Sequence, residues 1–296
     1  MTRLPDDPNR RVEADANERA RVAADQLSRV NGPLELHAAV LALLLPPGSE
    51  HAARAWHTEC GAVPGAEALR DMVAHLRGAA RLPWFEILLA RLRRQPVAAR
   101  NSLLEATRRL MAAHGGVRPI DRLHWLVMRQ LLGDSARASA PARAATSVSQ
   151  LPQADVHAIA MFSAFLSRMV PVAEASEPTE LQVPAPSAGA PGAPNPGAAW
   201  YASVMAPWAH RAETPPLALP DTDGIVYALH TLQALTWMQR PVLARGWVSA
   251  AQQHSRHGRL GHPAADALRM SCTLLDSPLP PELARHYSEA NPEAPP

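Results

Sequence analysis

The chain has 296 residues, of which 47% are apolar and 4% aromatic, and its 29 basic residues are all arginine. Two cysteines, Cys60 and Cys272, are too few for a disulfide framework. The longest apolar run, residues 38–45, is far shorter than the ~20 residues of a membrane-spanning helix. Because residues 1–11 are polar and contain no apolar signal core, the sequence predicts a soluble, reduced, cytoplasmic protein.

The charge is unevenly distributed along the chain. Residues 70–145 carry 14 arginines and 5 acidic residues, whereas the segments before and after this stretch are net acidic. A basic segment of this kind either attracts phosphates or anionic lipid, or supplies the solvated faces of helices in a protein without lysine. The second interpretation is favoured, because counts do not show clustering in space.

Proline, glycine and capping residues divide the chain into predicted helices. Ser49 and Asp223 are predicted helix caps, because their side-chain oxygens can accept hydrogen bonds from the first turn. No stretch alternates between apolar and polar residues over enough positions to predict a strand. The predicted fold class is therefore all-α. The predicted helices cover residues 10–30, 34–45, 49–61, 65–77, 83–94, 96–114, 120–132, 153–170, 198–210, 222–238, 241–257 and 263–275.

Composition predicts two lobes of helical hairpins joined by Pro/Ala-rich linkers. The N-terminal lobe is residues 1–133, and residues 134–152 form a Ser/Ala/Arg linker. The C-terminal lobe is residues 153–296, with an insert at 174–197 whose Pro, Ala and Gly content predicts disorder. Prolines at 278–281 are predicted to break the chain before a frayed end.

An internal repeat links the two predicted lobes. The segment QPVAAR at 95–100 recurs as RPVLAR at 240–245, and HGGV at 114–117 recurs as HGRL at 257–260. Each pair is followed by a helix that ends in two leucines, at 131–132 and at 274–275. The shared order predicts one helical hairpin used twice, with Gly115 and Gly258 beyond the end of the first helix.

Four segments carry a family resemblance, and they occur in the order in which the family has them. The chain resembles the cytoplasmic C-terminal region of bacterial HtpX-like membrane zinc metalloproteases, which consists of helical TerB-like units. The resemblance covers about residue 30 to the C-terminus and implies an all-α fold of TerB-like repeats. The segments are AVLALLL at 39–45, RLPWFEIL at 81–88, AAHGGV at 112–117 and LLDSPLPP at 274–281.

The departures from that family concern its chemistry. The His-Glu-x-x-His helix, in which two imidazoles hold zinc and the glutamate acts as base, is missing from this sequence. The family's hairpin turn reads Ala-Asp-Gly with a glutamate early in the next helix. Here His114 and His257 replace the aspartates, and His124 and Ala265 replace the glutamates. The sequence therefore predicts neither catalysis nor a cofactor.

Two groups of side chains have spacings that could suit a metal. His51, His57 and Cys60 lie in one predicted helix, but a closed zinc site needs four ligands and no second pair is near. His254, His257 and His262 bracket the second hairpin turn, where histidines also complement the negative end of a helix dipole. Metal binding is the less favoured interpretation at both places.

The segment PDTDG at 220–224 is similar to the nucleophile loop of haloacid-dehalogenase-type phosphatases. That loop must follow a buried strand. The apolar segment before it, residues 217–220, is too short for such a strand and ends in proline. A calcium loop is also excluded, because its twelfth position lacks glutamate. A helix cap is the favoured interpretation of this segment.

Three functions remain open. The first, which is favoured, is a non-catalytic helical module that binds and regulates a protein partner, including a membrane protease. The second is a separately encoded or truncated tail of an HtpX-like protease whose catalysis lies on another chain. The third is a binder of nucleic acid or anionic membrane, with nucleic acid the less favoured of these ligands and contact with the cytoplasmic leaflet allowed.

The candidate partner-binding surface is a basic patch. Two predicted helices, separated by Pro96, carry its arginines on faces opposite to their apolar faces. Glu105 lies one turn before Arg109 and is predicted to pair with it. The sequence predicts an exposed positive patch suited to an acidic surface. Its members are Arg91, Arg93, Arg94, Arg108 and Arg109.

Overall fold

A computed structural model describes residues 8–113, 117–133, 147–170, 196–210 and 215–290. These residues contain 13 α-helices and no strand, so the predicted all-α class is confirmed. The chain divides into two compact units, of which one comprises residues 1–135 with 287–296 and the other residues 136–286. The predicted lobes, their linker and their TerB-like arrangement stay predictions. None of the described helices combines the length and apolarity needed to cross a membrane.

The first unit is built around one apolar helix. Its helices are α1 (Pro8–Arg29), α2 (Pro33–Leu43), α3 (Glu50–Cys60), α4 (Ala66–Ala74), α5 (Gly78–Leu92), α6 (Val97–Ala112) and α7 (Pro119–Leu132). Seven of the eleven residues of α2 are buried, because α3, α4, α5 and α6 all pack against it. A helix that is apolar on every face requires such enclosure.

Two arginines of α5 satisfy backbone carbonyls that lie at or just beyond the ends of other helices. Arg81 Nη2 donates to the carbonyls of Ala42, Leu43 and Leu45 at 3.3, 3.0 and 3.2 Å, where α2 ends. Arg91 Nη1 donates to the carbonyl of Leu27 at 3.3 Å and to that of Val30 at 2.8 Å, where α1 ends. The last carbonyls of a helix have no partner within it, so these side chains fix α5 against both helix ends.

The second unit has an aromatic core. Its helices are α8 (Gln153–Leu166), α9 (Pro196–Met205), α10 (Thr222–Gln233), α11 (Gln239–Gln253), α12 (His262–Leu275) and α13 (Pro281–Ala290), whose last residues belong to the first unit. α8 packs against α9 and α10, while α11 packs against α9 and α12. Trp200, Trp247, Phe162 and Phe165 are fully buried, and such large rings supply most of the apolar area that a core buries.

Several predicted boundaries differ from the observed ones. α5 begins at Gly78 and contains Pro83. Pro83 has no N–H and so costs the helix one hydrogen bond, a loss that the burial of the first turns and the hydrogen bonds of Arg81 offset. Ser49 caps α3 as predicted, accepting from Ala52 N over 3.2 Å. The predicted cap Asp223 is wrong: Asp221 caps α10, accepting from Gly224 N over 2.7 Å. The predicted frayed end contains α13, in which Leu283 is fully buried.

The second hairpin begins earlier than its proline suggests. Thr236 and Gln239 form a reciprocal cap: Thr236 N donates to Gln239 Oε1 over 2.9 Å, and Gln239 N donates to Thr236 Oγ1 over 3.3 Å. This is the arrangement of a capping box, and it starts α11 two residues before Pro241. Gly258 lies beyond α11 with a φ of +67°, as the repeat predicts, while Gly115 lies outside the described residues.

Two further predicted segments fall mainly outside the described residues. Of the linker 134–152, residues 147–152 are described, and they include a single 3₁₀ turn, Val148–Gln150. Of the insert predicted to be disordered, 174–197, residues 196 and 197 are described, and they begin α9. The prediction of disorder is therefore wrong for these two residues, because the helix extends to Pro196, which suits a first turn.

Candidate partner-binding surfaces

The arginines of the predicted basic patch occupy different environments. Arg109 forms a bidentate ion pair with Glu59 of α3, at 2.7 and 2.8 Å, and the predicted partner Glu105 adds a smaller coulombic attraction. This hydrogen bonding lowers the pKa of the Glu59 carboxyl. Arg108 is exposed, and its guanidinium lies 4.5 Å from the ring centroid of Trp125, in cation–π geometry. Both side chains therefore have partners within the first unit.

Arg91 is also engaged, because it is half-buried and donates to the carbonyls of α1. Arg93 and Arg94 are exposed at the end of α5. They line an open pocket of about 400 Å³, whose other lining residues are Leu89, Ala90 and Leu131. Of the five predicted residues, Arg93 and Arg94 thus line one pocket, whose other lining residues are apolar. Binding of a partner at these residues stays a prediction.

The first group of candidate metal ligands does not converge. His57 Nδ1 lies 2.8 Å from Glu67 Oε1, and His51 is exposed. Cys60 is buried, and burial raises the pKa of its thiol to about 12, with a further contribution from the Glu59 carboxylate. A thiol binds metal as the thiolate, so this cysteine is a poor ligand at neutral pH.

The second group is divided among three environments. His254 Nε2 lies 2.8 Å from Ser203 Oγ, and His257 adopts a left-handed backbone with a φ of 55°. His262 Nδ1 meets His286 Nε2 of α13 instead, at 3.1 Å. Across the described ranges, no three His, Cys, Asp or Glu side chains are grouped so that they could hold a metal ion.

His124 occupies the position where the resembling family has a glutamate, and it is half-buried. Its ring packs edge-on against Phe85 with the centroids 5.0 Å apart. Burial lowers the pKa of His124 to about 4, so the imidazole is neutral at pH 7. The side chain therefore fills space at the contact of α5 and α7, where a carboxylate would have been charged.

An exposed apolar turn at the start of α11 was not predicted from the sequence. Trp237, Met238 and Val242, here called the Trp237 turn, are 77%, 57% and 56% exposed. Among the chain's seven tryptophans, five are buried and Trp125 is half-buried under Arg108. The Thr-x-x-Gln pattern at 236–239 was the available signal, because a capping box there places Trp237 in the first turn rather than in the preceding helix.

The Trp237 turn is held rigidly although its side chains are in solvent. Besides the capping box, Arg240 Nε donates to the carbonyl of Leu235 and Arg240 Nη1 to that of Leu275, each over 2.9 Å. These bonds tie the turn to the ends of α10 and α12. The apolar side chains are therefore presented on a fixed backbone.

Comparison of the chain with protein family models, with curated proteins and with solved structures found no match in any of the three. The resemblance to HtpX-like tails stays a prediction. Function must accordingly be argued from the two surfaces described above.

Proposed function

We propose that this chain is a non-catalytic helical module that binds a protein partner, and that the Trp237 turn makes the central contact. The observation that carries this proposal is the exposure of Trp237 on a rigid turn. Clustered exposed apolar side chains mark interaction surfaces, and tryptophan and methionine are enriched where protein interfaces are buried. Binding would remove from water three side chains that folding leaves exposed.

Rigidity supports the same conclusion. A partner that binds a flexible turn must offset the entropy of ordering it, whereas a preformed turn avoids much of that cost. The capping box of Thr236 and Gln239 fixes the backbone, and tryptophan has only two side-chain torsions to order. The turn thus has the properties of an interface hot spot.

The charge of α11 indicates the chemistry of the partner. Arg240 and Arg245 are the charged residues of this helix, and it contains no acidic residue. Arg245 is exposed and lies three residues after Val242, so both side chains share one face. The partner that fits is a protein with an apolar groove and an acidic rim. The exposed Arg93 and Arg94 of the first unit also suit an acidic protein surface.

The resemblance to HtpX-like tails suggests a membrane metalloprotease as the partner, with catalysis on that other chain. A neighbouring gene that encodes membrane spans and His-Glu-x-x-His would support this part of the proposal. Co-purification of the two proteins from the native cell would test it directly. Failure to co-purify would leave the module with another partner and would remove the protease from the proposal.

The experiment uses three forms of the full chain as bait in native-cell extract: wild type, Trp237→Ala and Leu34→Ala. The last variant is the control, because it also truncates an exposed apolar side chain to alanine, but in the first unit. A protein retained by wild type and Leu34→Ala, but lost with Trp237→Ala, is then purified and titrated against each form. We expect at least a tenfold weaker affinity for Trp237→Ala. Equal affinity for all three forms contradicts the proposal. Thermal melts of both variants check that the fold is kept.

A further inference from the structure

The first turns of α1 are exposed on all sides. Every residue from 12 to 19 is exposed, whereas the same helix, which packs against α4, buries Ala23 and Leu27 further along. Residues 12–22 span about 15 Å of helix. A helical segment of this length without tertiary contacts is marginally stable in water, so a partner that packs along it would stabilise it.

One face of this exposed segment is self-complementary. Four of its residues, spaced by three, four and three positions, form one row along the helix. They are Val12, Asp15, Arg19 and Val22. The two valines at the ends of the row are 65% and 44% exposed, and the two charged residues between them are exposed as well. The row therefore matches a second copy of itself that runs in the opposite direction.

The charges of the row specify that orientation. In an antiparallel pair of helices centred on Asn17, Asp15 lies opposite Arg19 of the second copy, and Val12 lies opposite Val22 of the second copy. A parallel pair in register would instead place Asp15 against Asp15 and Arg19 against Arg19, and like charges across an interface repel each other. Polar residues in the central layers of paired helices commonly fix their register in this way.

The Asp15 carboxylate is available to a second copy. The nearby Glu18 is already engaged, because it forms a bidentate ion pair with Arg21 at 2.6 and 2.9 Å. Arg19, in contrast, donates its Nε to the backbone carbonyl of Asp15 over 3.3 Å. The Asp15 carboxylate itself forms no ion pair within the part of the chain that the structure describes. An opposing guanidinium would provide its partner.

We infer that two copies of this chain associate through the first turns of α1, which run antiparallel and pair the row of one copy with the row of the other. Because the interface is isologous, each contact occurs twice. The interface is short and half of its layers are ionic, so the dimer is weak and is favoured by high concentration and low salt. The dimer does not depend on the proposed function, but it carries two Trp237 turns and so increases avidity for a dimeric partner.

Analytical ultracentrifugation of the full chain at low salt, up to about 1 mM, measures this association. We expect a reversible monomer–dimer equilibrium in wild type. Asp15→Arg and Arg19→Asp should each weaken it by about tenfold or more, because each places like charges opposite one another twice. Glu13→Arg is the matched control: it makes the same change of charge at an exposed position of α1 outside the row, and it should leave the equilibrium unchanged.

Mixing the two weakened variants tests the pairing itself. The Asp15→Arg chain carries two basic residues at positions 15 and 19, and the Arg19→Asp chain carries two acidic ones, so the mixture should form a mixed dimer although neither variant does so alone. The double variant Asp15→Arg with Arg19→Asp exchanges the charges within one chain and should regain the wild-type equilibrium. Circular dichroism and thermal melts check that each variant keeps its helices.

Several outcomes overturn the inference. One is a wild type that stays monomeric at the highest concentration, and another is equal association of Asp15→Arg and Glu13→Arg. Absence of both the mixed dimer and the recovery in the double variant overturns the antiparallel pairing. Trp237→Ala should keep the dimer; a dimer that is lost in Trp237→Ala and kept in Asp15→Arg assigns self-association to the Trp237 turn and removes it from α1.

Discussion

The indole N–H of Trp247 donates a hydrogen bond to Ser163 Oγ over 3.0 Å and joins α11 to α8 inside the second unit. The carbonyl of Trp247 accepts in turn from Trp200 Nε1 over 3.2 Å. Both tryptophans and Ser163 are fully buried. Two buried indole N–H groups are thus satisfied, and these hydrogen bonds connect α8, α9 and α11.

Ser163→Ala should destabilise the chain by about 1–3 kcal/mol, because it leaves a buried indole N–H without its acceptor. Urea denaturation followed by circular dichroism measures the change in the free energy of unfolding. Ser102→Ala, at an exposed position of α6, is the control and should change that free energy by less than about 0.5 kcal/mol. Equal effects of the two variants would show that the Trp247 hydrogen bond contributes nothing.

Arg81→Met should destabilise the chain by about 2–4 kcal/mol. The guanidinium donates to three carbonyls where α2 ends and to that of Val73 in α4, the last over 3.2 Å. Methionine keeps the apolar stem but leaves these half-buried carbonyls without a charged donor. The same denaturation measurement applies, with the exposed Arg54→Met as control. A loss no larger than that of the control contradicts the proposed anchoring.

Local patterns were sufficient for the all-α class and for the cap of α3, because both depend on neighbouring residues. Ser49 and the N–H that it satisfies are three positions apart. The role of Arg91 could not be predicted in this way, since its carbonyl acceptors lie more than 60 positions away in sequence. Arginines that cap distant helix ends and arginines that face solvent have the same local pattern.

Helix ends were misplaced where tertiary contacts offset a local cost. Pro83 suggested a helix start, but the buried turns before it extend α5 to Gly78. Asp221 and Asp223 are both good caps by type, and only the extended backbone of Asp221 makes it the cap. The exposure of Trp237 was missed because the predicted helix 222–238 ran through it, whereas the capping box of Thr236 and Gln239 places it at the start of α11.

Acidification should destabilise the chain through His124. Burial lowers its pKa in the folded state to about 4 from the ordinary 6.5, so between these values the unfolded chain binds more protons. The free energy of unfolding therefore falls as pH decreases from about 6.5 to about 4, and the contribution of this group is constant below that range. The loss between pH 7.5 and pH 5.0 amounts to about 2 kcal/mol.

The variant His124→Leu removes this titration and should show a shallower decline of stability over the same pH interval. Urea denaturation at pH 7.5 and pH 5.0 gives the two free energies of unfolding for each protein. The exposed His51→Gln serves as control and should keep the wild-type decline. An identical decline in wild type and His124→Leu would exclude His124 as the cause.

The pocket lined by Arg93 and Arg94 gives the last prediction. Arg93→Glu with Arg94→Glu should leave the melting temperature almost unchanged, because exposed charges contribute at most ~1 kcal/mol to stability. The same double variant should weaken binding of an acidic partner at low salt, where the attraction of the two guanidinium groups is least screened.

The probe is the partner recovered through the Trp237 comparison, titrated at several salt concentrations. Arg54→Glu with Arg168→Glu, at exposed positions of α3 and after α8, changes the net charge equally and is the matched control. A loss of affinity confined to the Arg93 and Arg94 variant, and diminishing as salt rises, would support partner binding at this pocket. Equal affinity of both variants and wild type across the titration would make the two arginines ordinary solvated surface.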